Sequence, residues 1–175
     1  NLFDWIRARG GKPTLWKTGH SFIKAKMKET GALLAGEMSG HVFFKERWFG
    51  FDDGLYAGAR LLEYLSKQAD LDATLHGLPD TVNTPELNIK MAEGEHYALM
   101  ERLQKTAKFP DAKEVITLDG LRVEYADGFG LARPSNTTPV IVLRFEADSQ
   151  SAIEKIQADF RRVIHAAAPG MELPF

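Results

Sequence analysis

Apolar residues recur along this chain first at helical spacing and later in alternation, and the change divides it. Residues 2–9 fit a helix ended by Gly10-Gly11, with Pro13 marking the break. Residues 14–17 fit a short strand. Residues 20–30 carry Phe22, Ile23 and Met27 on one side, with Thr18 as a candidate N-cap and Gly31 as the terminating glycine. The apolar runs 32–35 and 42–44 predict two buried strands. Residues 54–68 put Leu55, Ala59, Leu62 and Leu65 on one face, predicting a helix that packs this stripe into a core, with Asp53 as its cap. From Asp70 to Pro85 the periodicity lapses and Gly77, Pro79 and Pro85 cluster, which places a domain boundary near residue 80, between residues 1–80 and 81–175.

Beyond the boundary the pattern is cleaner. Residues 82–90 fit a strand that Pro85 confines to an edge, and residues 94–107 a helix with Tyr97, Met100, Leu103 and Ala107 inward. Residues 114–118, 121–126, 129–132 and 140–146 read as four strands. Asp119-Gly120 and Asp127-Gly128 supply two-residue hairpin signals between them. Leu121, Val123 and Tyr125 alternate with Arg122 and Glu124, so one face of that strand is wet, whereas Val140 to Leu143 is apolar throughout and belongs at the centre of a sheet. Ile153, Ile156, Phe160, Val163, Ile164 and Ala167 line a last helix. These elements predict an antiparallel meander with two helices packed on one face.

Composition narrows the functional classes. The 175 residues are 44% hydrophobic and 26% charged, with a formal net charge of −2 from 22 basic and 24 acidic side chains. No block of positive charge is available for nucleic acid, and no apolar run approaches the roughly 18 residues of a membrane span. The absence of cysteine excludes a disulfide framework and fits a reducing compartment. The opening residues, Asn1-Leu2-Phe3-Asp4-Trp5, show no signal-peptide pattern and no initiator Met, which reads as a fragment.

Two polar clusters interrupt the apolar pattern. In Gly36-Glu37-Met38-Ser39-Gly40-His41 a carboxylate, a hydroxyl and an imidazole stand two residues apart between glycines. An extended backbone would turn Glu37, Ser39 and His41 to one side, open enough for a polyol to approach. The same residues also fit a polar hairpin with glycine in its turn. A carboxylate accepts from two neighbouring hydroxyls at once, which suits a sugar. His20, in the first turn of its helix, is either solvent-facing or aimed at what Glu37 holds. Asp52-Asp53 is too sparse a set for a metal. The second cluster is Arg133-Pro134-Ser135-Asn136-Thr137-Thr138-Pro139, where two prolines frame hydroxyls, an amide, backbone N–H groups and a guanidinium, with no acidic residue. That donor set describes an anion site, with phosphate its natural guest. Together the clusters suggest a sugar phosphate.

Lys17-Thr18-Gly19-His20, Gly36 to His41, Arg47-Trp48-Phe49-Gly50-Phe51-Asp52-Asp53-Gly54 and Arg133 to Thr138 together resemble the α-D-phosphohexomutase family, in its bacterial phosphomannomutase/phosphoglucomutase branch. The resemblance runs from about Gly10 to the C-terminus. It implies that residues 1–80 are the later part of the family's third domain, a truncated mixed α/β sugar-reading domain. Residues 81–175 would be its fourth, a TATA-binding-protein-like antiparallel sheet with two helices. It implies a cytoplasmic isomerase that interconverts hexose 1-phosphates and 6-phosphates of glucose or mannose through a phosphoserine and a bisphosphorylated sugar such as glucose 1,6-bisphosphate, with Mg²⁺. By resemblance His20, Glu37 and Ser39 contact the sugar, Arg133, Ser135, Asn136 and Thr137 hold the phosphate that is not reacting, and His41 matches a residue suggested as general acid/base. The family's phosphoserine and metal loops do not occur here, so the resemblance implies that the N-terminal domains are missing and that the fragment alone is inactive. The alternative is a free-standing sugar-phosphate-binding module.

Overall fold

In a computed structural model, which describes residues 2–77 and 80–175, the chain divides into two units, Asn1–Pro79 and Asp80–Phe175. The first contains helices α1 (Leu2–Ala8) and α2 (His20–Thr30), strands β1 (Leu34–Gly36) and β2 (Val42–Phe44), and helices α3 (Gly54–Leu65) and α4 (Leu71–His76). Helix α4, capped by Asp70, was not expected from the lapse in periodicity. Residues 14–17 join no ladder among the described residues, so the expected strand there is extended chain only. Gly31 ends α2 at φ 73, as its position predicts, but the N-cap is Gly19 at φ 126 rather than Thr18, because that backbone region is closed to a residue with a Cβ.

Strands β1 and β2 pair antiparallel with Ala35 opposite Phe43. The segment between them is not extended. The Glu37 N–H donates to the His41 carbonyl at 2.8 Å and the Gly40 N–H to the Glu37 carbonyl at 3.0 Å, closing a turn with Gly40 at φ 92. The hairpin reading therefore holds, and strict alternation of Glu37, Ser39 and His41 does not. Nor is β1 buried throughout, since Leu34 is 59% exposed.

Unit one has a small core of Ile23, Met27 and Phe43, with Ala32 and Ala35 against it. The stripe expected to pack from α3 is instead at the surface, with Leu55 91% and Leu62 69% exposed. The helix is braced through a different face. Arg47, whose φ of 62 is unusual for a residue with a side chain, grips Glu63 through both terminal nitrogens at 3.2 and 2.8 Å. Trp48 stacks on Tyr56 at 4.2 Å and 4°, and the Tyr56 hydroxyl donates to the Arg47 carbonyl at 3.2 Å. Arg60 meets Glu46 at 2.7 Å and lies 4.6 Å over the Phe44 ring. Tyr56, Arg60 and Glu63 are thus turned toward residues 44–48, which rotates the leucines away.

The second unit contains β3 (Val82–Asn83), β4 (Leu87–Lys90), α5 (Glu95–Thr106), β5 (Glu114–Ile116), β6 (Leu121–Glu124), β7 (Gly128–Pro134), β8 (Val140–Ala147) and α6 (Gln150–Ala167). The order is β3-β8-β7-β6-β5, all antiparallel, with β4 also on β8. The strand predicted over 82–90 is split at Pro85, which has no N–H to give. Thr84 spans the gap, its N–H donating to the Phe145 carbonyl at 2.9 Å and its hydroxyl accepting from the Phe145 N–H at 3.1 Å. The predicted stripe of α6 is buried at every position, and Ser149 caps the helix. On α5 the inward set is His96, Leu99, Met100 and Leu103, while Tyr97, expected inward, is 46% exposed. Leu121, Val123, Ala132, Leu143 and Phe145 face the helices. Alternation therefore puts Arg122, Arg133 and Arg144 on the opposite face.

Two measurements test this packing. A Cβ on Gly130 would sit 2.4 Å from Phe160 Cε2, so Gly130→Ala should destabilise unit two by about 1–3 kcal/mol. Phe160→Ala should cost about 3–5 kcal/mol, and in that background the penalty at Gly130 should shrink. Equal penalties in urea unfolding of both backgrounds would refute the contact. In unit one, the hydrogen bonds from Arg47, then those from Lys67, depress the Glu63 carboxyl to about 2. A depressed carboxyl contributes stability above its unfolded value, which is lost as pH falls from about 4.5 toward 2. The Trp48 indole resonance should follow that loss, and Glu63→Gln should remove this step from its titration.

Candidate functional site

The first cluster is built on the turn between β1 and β2. Glu37 is half-buried, and its Oε1 accepts from the Gly19 N–H at 3.2 Å. This bond exists because Gly19 precedes α2 with its N–H uncommitted to the helix. The other carboxylate oxygen, Oε2, accepts from Ser39 Oγ at 3.4 Å. Glu37 and Ser39 therefore meet directly, and Gly19 brings the start of α2, with His20, beside them. The His20 ring is exposed, its Nδ1 3.5 Å from the Ser21 hydroxyl. A solvent-facing carboxylate next to a hydroxyl offers acceptors and a donor at the spacing of vicinal alcohols.

His41 turns elsewhere. Its Nδ1 lies 2.7 Å from Asp52 Oδ2, with the side chains 54% and 34% exposed. Asp52 reaches it because residues 43 and 52 form an antiparallel bridge, which makes His41 and Asp52 diagonal neighbours across two strands. The adjacent Asp53 does different work, accepting from the Tyr56 N–H at 2.9 Å as the cap of α3 and from the Trp48 indole at 3.1 Å. An exposed pair like His41–Asp52 stabilises a fold by only about 0–1 kcal/mol. In the sequence Asp52 was weighed only as part of a metal set with Asp53. Its pairing with His41 depends on a chain reversal at 45–51 that residue spacing does not reveal.

The second cluster joins β7 to β8. The Ser135 N–H donates to the Val140 carbonyl at 3.0 Å. Ser135, only 7% exposed, turns its hydroxyl into the loop, where it accepts from the Thr137 and Thr138 N–H groups at 3.3 Å each. Its hydroxyl also lies 3.3 and 3.1 Å from those of Thr137 and Thr138. Asn136 and Thr137 face solvent, and Arg133 is half-buried, donating weakly to the Pro134 carbonyl at 3.4 Å. The loop therefore gathers two backbone N–H groups and two hydroxyls around the Ser135 oxygen. Two contributors escaped the sequence pattern. The Tyr97 hydroxyl donates to the Ser135 carbonyl at 3.3 Å, and Lys90, opposite Val140 on β4, stands at the foot of the loop. Helix rotation and strand pairing put them there. Among the described residues no group of three or more His, Asp or Glu side chains could hold a metal ion. No described helix is long and apolar enough to cross a membrane.

Comparison with known proteins agrees with this layout. Residues 1–82 match the family model described as phosphoglucomutase/phosphomannomutase, alpha/beta/alpha domain III, and residues 86–163 match the C-terminal domain of the same family. The chain is 61% identical over 166 residues to a phosphoglucomutase of Neisseria gonorrhoeae, covering 94% of this chain and 36% of that protein. It is 55% identical over 175 residues to a phosphomannomutase/phosphoglucomutase of Pseudomonas aeruginosa, covering 99% of this chain and 38% of the relative. A crystal structure of a family protein from Burkholderia thailandensis superposes with a TM-score of 0.92 at 63% identity, over all of this chain and 37% of that one. The chain thus spans little more than a third of the length of these relatives, and it belongs to the phosphoglucomutase/phosphomannomutase family.

Proposed function

We propose that this chain is the sugar-phosphate-binding portion of a phosphohexomutase that interconverts hexose 1-phosphates and 6-phosphates through a bisphosphorylated sugar. The supporting observation is that this family segment carries both an acceptor-bearing turn, Glu37 and Ser39, and a loop rich in hydrogen-bond donors and free of acidic residues, residues 133–138. In this reading Glu37 accepts from two adjacent sugar hydroxyls and Ser39 donates to one of them, with His20 closing the rim. Arg133 presents its planar fork to the distal phosphate, aided by the exposed Asn136 and Thr137. When phosphate binds, its oxygens replace Ser135 Oγ as acceptors for the Thr137 and Thr138 N–H groups.

A mutase must accept one sugar in two opposed poses. Hydroxyls that occupy nearly the same place in both poses can be held by one carboxylate, and a loop that reads only a phosphate's charge and shape serves both ends. In the first half-reaction a sugar hydroxyl oxygen forms a bond to phosphorus as the phosphorus–oxygen bond of the phosphoserine breaks. In the second, after the bisphosphate has turned over, the serine oxygen forms the bond to phosphorus as the ester bond to the other sugar oxygen breaks. His41 takes the hydroxyl proton in the first step and returns a proton to the departing sugar oxygen in the second, as an imidazole can. The phosphoserine would be contributed by a part of the protein outside this chain.

Calorimetry on the 175-residue chain separates the two roles. Arg133→Ala should weaken glucose 1-phosphate and inorganic phosphate alike, by an amount on the order of 1.5–3 kcal/mol for a charge-assisted contact. Glu37→Ala should weaken only the sugar phosphate, and parallel losses in both variants would sink the assignment. A coupled assay should find no mutase turnover with the purified chain, and measurable turnover would show that the chemistry needs nothing beyond these residues.

A further inference from the structure

The Arg47-to-Gly54 motif takes no part in the sugar or phosphate recognition proposed above, yet one of its residues touches His41. We propose that Asp52 is a positioning residue that fixes the tautomer and orientation of His41, an inference that rests on reading His41 as the acid/base. A carboxylate has no hydrogen to give, so the 2.7 Å contact of Asp52 Oδ2 with His41 Nδ1 requires the proton on Nδ1. The lone pair is then left on Nε2, at the far edge of the ring, where it can receive a hydroxyl proton.

The surroundings hold Asp52 in place without involving it. Asp53, next in sequence, is committed to capping α3 and to the Trp48 indole. Trp48 is pinned flat on Tyr56, and the Gly50 N–H donates to the Phe44 carbonyl at 2.8 Å. Residues 48–53 therefore run back beside β2 with both ends tied, and the bridge between residues 43 and 52 sets the register that delivers the Asp52 side chain to His41. Once His41 has taken a proton at Nε2 it is a cation, and the Asp52 carboxylate lies in contact with it. One carboxylate thus sets the ring before transfer and balances its charge afterwards.

Nitrogen-detected NMR of the labelled 175-residue chain tests the pairing directly, with the His41 signals identified by their loss in His41→Gln. In its neutral form His41 should carry its proton on Nδ1. Asp52→Ala should move it to the Nε2–H form, while Asp52→Asn, whose amide oxygen still accepts, should keep it on Nδ1. A wild-type His41 already in the Nε2–H form overturns the proposal. In the complete protein Asp52→Ala should lower kcat by about 10- to 100-fold, part of the roughly 100- to 10,000-fold that a general acid/base supplies. KM should change little, and Asp52→Asn should recover some of the loss. An unchanged kcat in Asp52→Ala overturns the positioning role. An unchanged kcat in His41→Gln instead overturns the acid/base reading, and the catalytic role of Asp52 with it.

Discussion

The two-pronged grip of Arg47 on Glu63 determines the geometry of unit one more than its small core does. Arg47 sits at φ 62, a conformation that persists in a residue with a side chain only where the surroundings over-determine it. Here both terminal nitrogens are held by one carboxylate, and its carbonyl is held by Tyr56. That kink directs the following residues back along β2. Consecutive aspartates then separate in function, Asp53 to the helix start and Asp52 to His41. Because the network lies at the surface, its contribution to net stability is small.

Unit two solves a different problem. Its apolar layer is continuous from Ile89 and the α5 leucines through Phe145 to Phe160, and Gly130 has no side chain so that Phe160 can lie against the sheet. A rigid sheet of this kind can present a polar loop at one end without depending on it. The loop after β7 uses Ser135 as its own internal acceptor, which satisfies two of its backbone donors. Preorganised donors of this type bind an anion with little reordering.

The exposed leucines of α3 belong with the length comparison. Leu55 and Leu62 form an apolar stripe on an otherwise amphipathic helix, and none of the described residues covers them. The relatives are between two and three times as long as this chain. Unit one therefore shows the Glu37–Ser39 turn beside a helix face that has no packing partner among its described residues.

What the sequence determined by itself was local. Glycine at Gly31, the Asp53 cap, the α6 stripe and the alternating strands of unit two follow from backbone sterics and burial period, which neighbouring residues carry within themselves. The two polar clusters were legible for the same reason, each lying within a few consecutive residues. What tertiary structure decided were the pairings between distant positions: Gly19 with Glu37, His41 with Asp52, Tyr97 with Ser135, and Arg47 with Glu63. Periodicity gave α3 an inward face and α5 an inward Tyr97, and both were turned by contacts it could not register. A helix's rotation is set by what meets it from elsewhere in the chain, and no repeat within the helix records that partner.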